Sequence, residues 1–201
     1  KLFDYVCETG ALAVLGALTF GSADEHIYRL RDPGKAGLSR KQRIVWKFRT
    51  EKPPQGGQIV NWWEGNVAIL PDGTLLAGND NYLYYRIDRD TGEERGRWLG
   101  NELGWSLPAV NARTGRVFFG TMFLALRNLF AFDVASGEQV WSNGALGSIV
   151  ASPLLTSTRA DGAVVVAGFD GFVRAFGQAS GRQIWRAPTR DHVYASPAQL
   201  S

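Results

Sequence analysis

Apolar residues in this chain gather in runs of four to six that end at glycine or a polar pair instead of recurring at helical spacing. Ala17–Asp24 (ALTFGSAD), Thr74–Asp80 (TLLAGND), Arg116–Thr121 (RVFFGT) and Ala163–Asp170 (AVVVAGFD) share this form. Their length and their content of Val, Phe, Leu and Tyr predict β-strands. Between the runs lie Pro71-Asp72-Gly73, Asp90-Thr91-Gly92, Arg113-Thr114-Gly115, Ser136-Gly137, Asp161-Gly162 and Ser180-Gly181. Glycine at such points supplies the positive φ that tight hairpins need. The chain therefore reads as antiparallel strands joined by hairpins, four strands to a segment.

A tryptophan closes each segment. Trp46, Trp98, Trp141 and Trp185 stand at intervals of 52, 43 and 44 residues. Self-similarity at that period marks a propeller or a solenoid, whose units bury their apolar faces only against neighbours. The segments run approximately 11–60, 61–104, 105–148 and 149–194 within one domain of residues 1–201. Ala195–Ser201 (ASPAQLS) repeats Ala151–Thr156 (ASPLLT), so it starts another unit or serves as a closing strand.

The third segment, Ala131-Phe132-Asp133-Val134-Ala135-Ser136-Gly137-Glu138-Gln139-Val140-Trp141, fits A-x-D-x-x-x-G-x-x-x-W at every fixed position. The fourth repeats it from Ala175 to Trp185 with Gly177 in place of the aspartate, and the second keeps Asp88 and Gly92 but inserts two residues before Trp98. The polar stretch Asp32–Arg43 interrupts the first, where Trp46 matches by position alone. Ser152-Pro153 and Ser196-Pro197 match the S-P that opens the innermost strand of such repeats. In these features, over almost its whole length, the chain resembles the pyrroloquinoline-quinone (PQQ)-like β-propeller repeat family with its tryptophan-docking motif. WD-type propellers expect Asp after the tryptophan, where this chain has Lys47, Leu99, Ser142 and Arg186.

The resemblance implies an all-β propeller of four-stranded antiparallel blades, about four of them visible, complete or part of a larger ring. In the motif Asp133 bonds the turn backbone and Gly137 and Gly181 supply the special φ. The indoles of Trp46, Trp98, Trp141 and Trp185 fill the gaps between adjacent blades. Trp98, Trp141 and Trp185 are expected to be buried there.

Strands in such a blade run a, b, c, d outward from the axis and alternate in direction. The b–c and d–a connections then emerge on one face and the a–b and c–d hairpins on the other. The first face collects seven candidate partner-binding residues: Trp62, Trp63, Glu64, Asp80, Trp105, His192 and Tyr194. Trp62, Trp63 and Trp105 lie outside the docking series and read either as a binding surface or as rings packed between blades or in the axial channel. The acids of Asp80-Asn81 and Asp170-Gly171 are expected to organise their turns.

Composition narrows the classes. The 201 residues carry a net charge of +3 with the cations scattered, which gives no nucleic-acid footprint. No stretch reaches the ~20 apolar residues of a membrane span. Cys7 stands alone, so neither an internal disulfide nor a cysteine-based metal cage is available within these residues. No nucleophile elbow, zincin, Walker or Rossmann signature is present.

Quinoprotein enzymes of the family add paired cysteines, calcium ligands and an aspartate base, whereas other relatives are non-catalytic. The expected function is a non-catalytic scaffold or binding module for a protein or peptide, periplasmic or extracellular, with no cofactor. A second copy or a further chain segment would complete the propeller. The alternative is a segment of a quinoprotein dehydrogenase holding PQQ and calcium.

Overall fold

The computed structural model describes residues 12–14, 17–31, 36–50, 61–99, 103–122, 127–144 and 147–199. Cys7 and the last two positions of Ala195–Ser201 lie outside them. The described residues form four antiparallel sheets of four strands, each with its strands in chain order. Blade 1 comprises β1 (Leu12–Val14), β2 (Ala17–Gly21), β3 (Ile27–Arg31) and β4 (Ile44–Phe48), with a short helix α1 (Arg40–Arg43) before its last strand. Blade 2 comprises β5 (Val67–Ile69), β6 (Leu75–Gly78), β7 (Leu83–Ile87) and β8 (Glu94–Leu99). Blade 3 comprises β9 (Ala109–Asn111), β10 (Arg116–Gly120), β11 (Leu129–Asp133) and β12 (Gln139–Asn143). Blade 4 comprises β13 (Leu154–Leu155), β14 (Ala163–Gly168), β15 (Phe172–Gly177) and β16 (Gln183–Pro188). In every blade the register of strands c and d shifts once, at Arg29/Leu30, Arg86/Ile87, Ala131/Phe132 and Ala175/Phe176.

The core lies between blades. Phe118 and Phe119 are neighbours in β10 and point to opposite faces of the sheet. Phe119 packs with Leu76, Tyr84 and Trp98 of blade 2, while Phe118 packs with Ile149, Val164, Val166 and Phe176 toward blade 4. Both are fully buried. A strand sandwiched in this way reads as a continuous apolar run because neither face meets water. Ile27 and Trp46 of blade 1 join Val67, Leu75, Tyr85 and Ile87 of blade 2 in the same manner.

The c–d turns explain the A-x-D-x-x-x-G-x-x-x-W spacing. Asp133 Oδ1 accepts from the backbone N–H of Ala135 and Ser136 at 3.0 and 2.9 Å, and Asp88 Oδ1 accepts from Asp90 and Thr91, both at 2.9 Å. The glycine then closes the turn at φ +76° for Gly92, +71° for Gly137 and +66° for Gly181. Each turn receives a tryptophan from the preceding blade. Trp46 Nε1 donates to Arg89 O at 2.9 Å, and Trp141 Nε1 donates to Gln178 O at 3.0 Å. Trp98 stacks on Phe132 with ring centres 5.0 Å apart.

Turn N–H bonds, to Thr91 and to Ser136 first, hold the carboxyls of Asp88 and Asp133 below the usual range. Stability from these bonds is present above the unfolded aspartate pKa near ~4 and is lost as pH falls through the lower folded values. Asp133→Asn is therefore expected to lower the melting temperature at pH 7, with the gap to the native protein narrowing toward pH 2. Thermal melts across that range measure it.

Trp98 is buried as expected, Trp141 is only half-buried, and Trp185 departs furthest from the expectation of burial: it is 46% exposed, and Ile184 beside it is 59% exposed. The reason is geometric. Among the described residues no sheet follows β16, so no turn covers the indole.

Candidate functional site

Each d–a connection is stitched between the b–c loops of the two blades it joins. Trp63 N donates to Ser22 O of blade 1 at 3.4 Å, while Asp80 N of blade 2 donates to Trp62 O at 3.0 Å. Met122 N donates to Leu103 O at 3.0 Å, Ile149 N to Thr121 O at 2.9 Å and Phe169 N to Ser148 O at 3.0 Å. Such close approach leaves no room for a side chain at the end of strand b. A Cβ on Gly21 would lie 2.3 Å from Trp63 O, and one on Gly78 would lie 2.2 Å from Gly104 O. One on Gly120 would lie 2.3 Å from Ile149 Cγ2. That contact is why these three apolar runs end in glycine. The b–c and d–a connections thus share one side of the sheets, here called the loop face.

The candidate residues separate into three groups. Trp63 belongs to the core: it is fully buried, with its ring centre 5.3 Å from that of Tyr85 and 5.8 Å from that of Phe48. Its reading as a partner-binding residue is corrected by this burial. Its neighbour Trp62 points the other way and is 40% exposed, since alternate residues of an extended segment face opposite sides.

Glu64 and Trp105 are half-buried, and Asp80, whose N–H reaches Trp62 O, is fully enclosed. Trp105 Nε1 donates to Asp80 Oδ1 at 2.8 Å across the boundary between blades 2 and 3. His192 and Tyr194 form a separate patch on Phe169. The His192 ring stacks on it at 4.8 Å between centres and 4° between planes, and Tyr194, 69% exposed, tilts against it at 4.6 Å. The sequence places Phe169-Asp170-Gly171 in a b–c connection on this side but gives no sign that Phe169 stacks on His192 and Tyr194.

The turn-organising role expected of Asp80 falls to its neighbours. Asn79 Oδ1 accepts from Asn81 N at 2.9 Å, Asn79 Nδ2 donates to Asn61 O at 3.2 Å, and Asn81 Nδ2 donates to Tyr85 OH at 2.6 Å. Asp80 is 2% exposed, and its pKa is raised to about 7. Desolvation by burial is the main cause; the Trp105 bond opposes it and the nearby Glu64 charge adds to it. The pKa lies above the unfolded value near ~4, so native Asp80 favours the neutral form. Stability is lost as pH rises between those values. Asp80→Asn is expected to raise stability at pH 8, by at most ~4 kcal/mol at ~1.4 kcal/mol per pH unit, and to leave it unchanged at pH 4. Denaturant melts at the two pH values check this.

His26 uses Nδ1 on the carbonyl of Asp24 at 2.9 Å. Among the described residues no three His, Cys, Asp or Glu side chains come together as metal ligands. Among the same residues no helix is long and apolar enough to cross a membrane, which says nothing of a β-barrel.

A profile of the family described as Outer membrane protein assembly factor BamB matches residues 36–199. The chain belongs to this family. The PQQ-like repeat resemblance and the all-β propeller fold expected from it both hold. Over 92% of its length the chain superposes on 49% of BamB from Moraxella catarrhalis, with a TM-score of 0.68 at 19% identity. It superposes equally far, 92%, on 55% of a chain of the Mitotic Checkpoint Complex, with a TM-score of 0.70 at 13% identity. At such identities the likeness shows the fold alone, and the chain spans about half the length of each, 49% and 55%. No curated protein matches it in sequence.

Proposed function

We propose that this BamB-family chain is a non-catalytic propeller scaffold that binds a protein or peptide partner across its loop face, outside the cytosol and without a cofactor of its own. The supporting observation is where the unburied rings stand. Trp62 and Tyr194 are 40% and 69% exposed on the loop connections, while the hairpin side carries Asp- and Gly-bearing turns already spent on their own backbone. Exposed aromatic residues beside polar groups, here Glu64 and His192, have the make-up of an interface. Membership of a family described as an outer membrane assembly factor supports the extracytoplasmic location.

Trp62→Ala and Tyr194→Ala should each leave the melting temperature within about 2 °C of native, since exposed substitutions change stability by only ~0.5 kcal/mol. Capture of native partners from envelope extracts should fall several-fold. Capture equal to that of the native protein in both variants would remove the loop face from consideration.

The exposed Trp185 supports a further sheet over β16, from a second copy or another chain segment. Ser196 Oγ accepts from Ser152 N at 2.9 Å, as Ser152 Oγ accepts from Leu107 N at 3.1 Å, so the tail repeats the seat of a first strand. Native mass spectrometry, compared between the native protein and Trp185→Glu, tests the second copy.

A further inference from the structure

Aspartates stand in the b–c loops of blades 1, 2 and 4, and only one of them lacks a partner from its own blade. In blade 1, Tyr28 OH donates to Asp24 Oδ2 at 2.6 Å. In blade 4, the buried Arg174 pairs with Asp170, with one contact at 2.9 Å. Both partners lie four residues beyond the aspartate, on strand c. In blade 2 that position is Tyr84, whose hydroxyl turns away to donate to Gly120 O of blade 3 at 3.0 Å. Asp80 is left with a single donor, the neutral indole of Trp105, and no Arg, Lys or His among the described residues pairs with it.

A carboxylate so enclosed is costly to leave without a cation. The cost also falls where a partner would sit, beside Trp62. We propose that Asp80 is the anchoring anion for a cationic side chain, arginine or lysine, that a protein partner lays across the loop face between the entry segments carrying Trp62 and Trp105. This rests on the reading of that face as partner-binding.

The surroundings suit such a group. Indole faces attract guanidinium and ammonium ions, and Glu64 is the other titratable side chain acting on Asp80, with the same sign of charge. The bound cation favours the carboxylate form, so affinity falls as pH drops below about 7. Entry displaces or slides along the half-buried Trp105 ring, which makes its Nε1–H the reporter.

The experiment is an NMR titration of the ¹⁵N-labelled full chain. The Trp105 indole resonance is assigned by its disappearance in Trp105→Phe. The probes are N-acetyl-arginine amide and its neutral isostere N-acetyl-citrulline amide. The expected result is a saturable Trp105 shift with arginine and none with citrulline. Arginine affinity should be at least about tenfold lower at pH 5.5 than at pH 8, and similarly lower in Asp80→Asn, as loss of an enclosed ion pair implies.

A citrulline response equal to that of arginine, or Asp80→Asn binding arginine as the native protein does, overturns the proposal. The pH comparison uses the native chain, so it decides the matter even if the variant misfolds. Should arginine leave Trp105 unmoved while Trp62→Ala still abolishes partner capture, Asp80 takes no cation and the face reading survives. If arginine binds as expected and capture is indifferent to Trp62, the cation site stands and the face reading fails.

Discussion

Trp63→Ala is expected to cost ~3–5 kcal/mol, as loss of a fully buried indole does, whereas Trp62→Ala one residue earlier should cost less than ~1 kcal/mol. The contrast follows from direction alone. Trp63 fills the space between blades 1 and 2 against Phe48 and Tyr85, and its backbone closes over Gly21, so truncation opens a cavity where the surrounding strands are least free to collapse. Trp62 is 40% exposed and gives up little apolar contact. Chemical denaturation of the two variants measures the difference. Equal costs would mean that the two rings do not face opposite ways.

Gly92→Ala should be nearly as damaging, at ~2–5 kcal/mol. Two penalties add: left-handed backbone, worth ~1–2 kcal/mol for a residue with a Cβ, and overpacking of ~1–3 kcal/mol. The φ of Gly92 is +76° and its added Cβ would lie 2.7 Å from the Trp46 ring. Gly115 is the internal control, with φ +66° and nothing within 4 Å of its added Cβ. Gly115→Ala should show the backbone penalty alone, ~1–2 kcal/mol. Equilibrium unfolding of the pair separates the two terms, and similar losses in both would show that the indole contact contributes nothing.

Glycine and tryptophan made much of this architecture readable from the chain. Their spacing marks positions where the backbone admits no Cβ or where a gap accepts only a large flat ring. Strand type and the turns at Asp88 and Asp133 followed from local chemistry, because a turn and its cap lie within a few residues of each other. The candidate site was legible only in part. The sequence placed Trp62, Trp63, Asp80 and Trp105 on the loop side, yet nothing local distinguishes Trp62 from Trp63.

What the sequence determined by itself was the pattern of four strands to a segment and which connections share a side, since strand alternation depends only on chain order. Tertiary structure decided the rest. It buried Trp63 and left Trp185 46% exposed, because burial of an indole depends on whether a neighbouring sheet arrives. It gave Asp80 a partner 25 residues away in Trp105 instead of one four residues away. It set Phe169 beneath His192 and Tyr194. Each outcome is fixed by contact between segments distant in the chain, and residue spacing carries no record of such contacts.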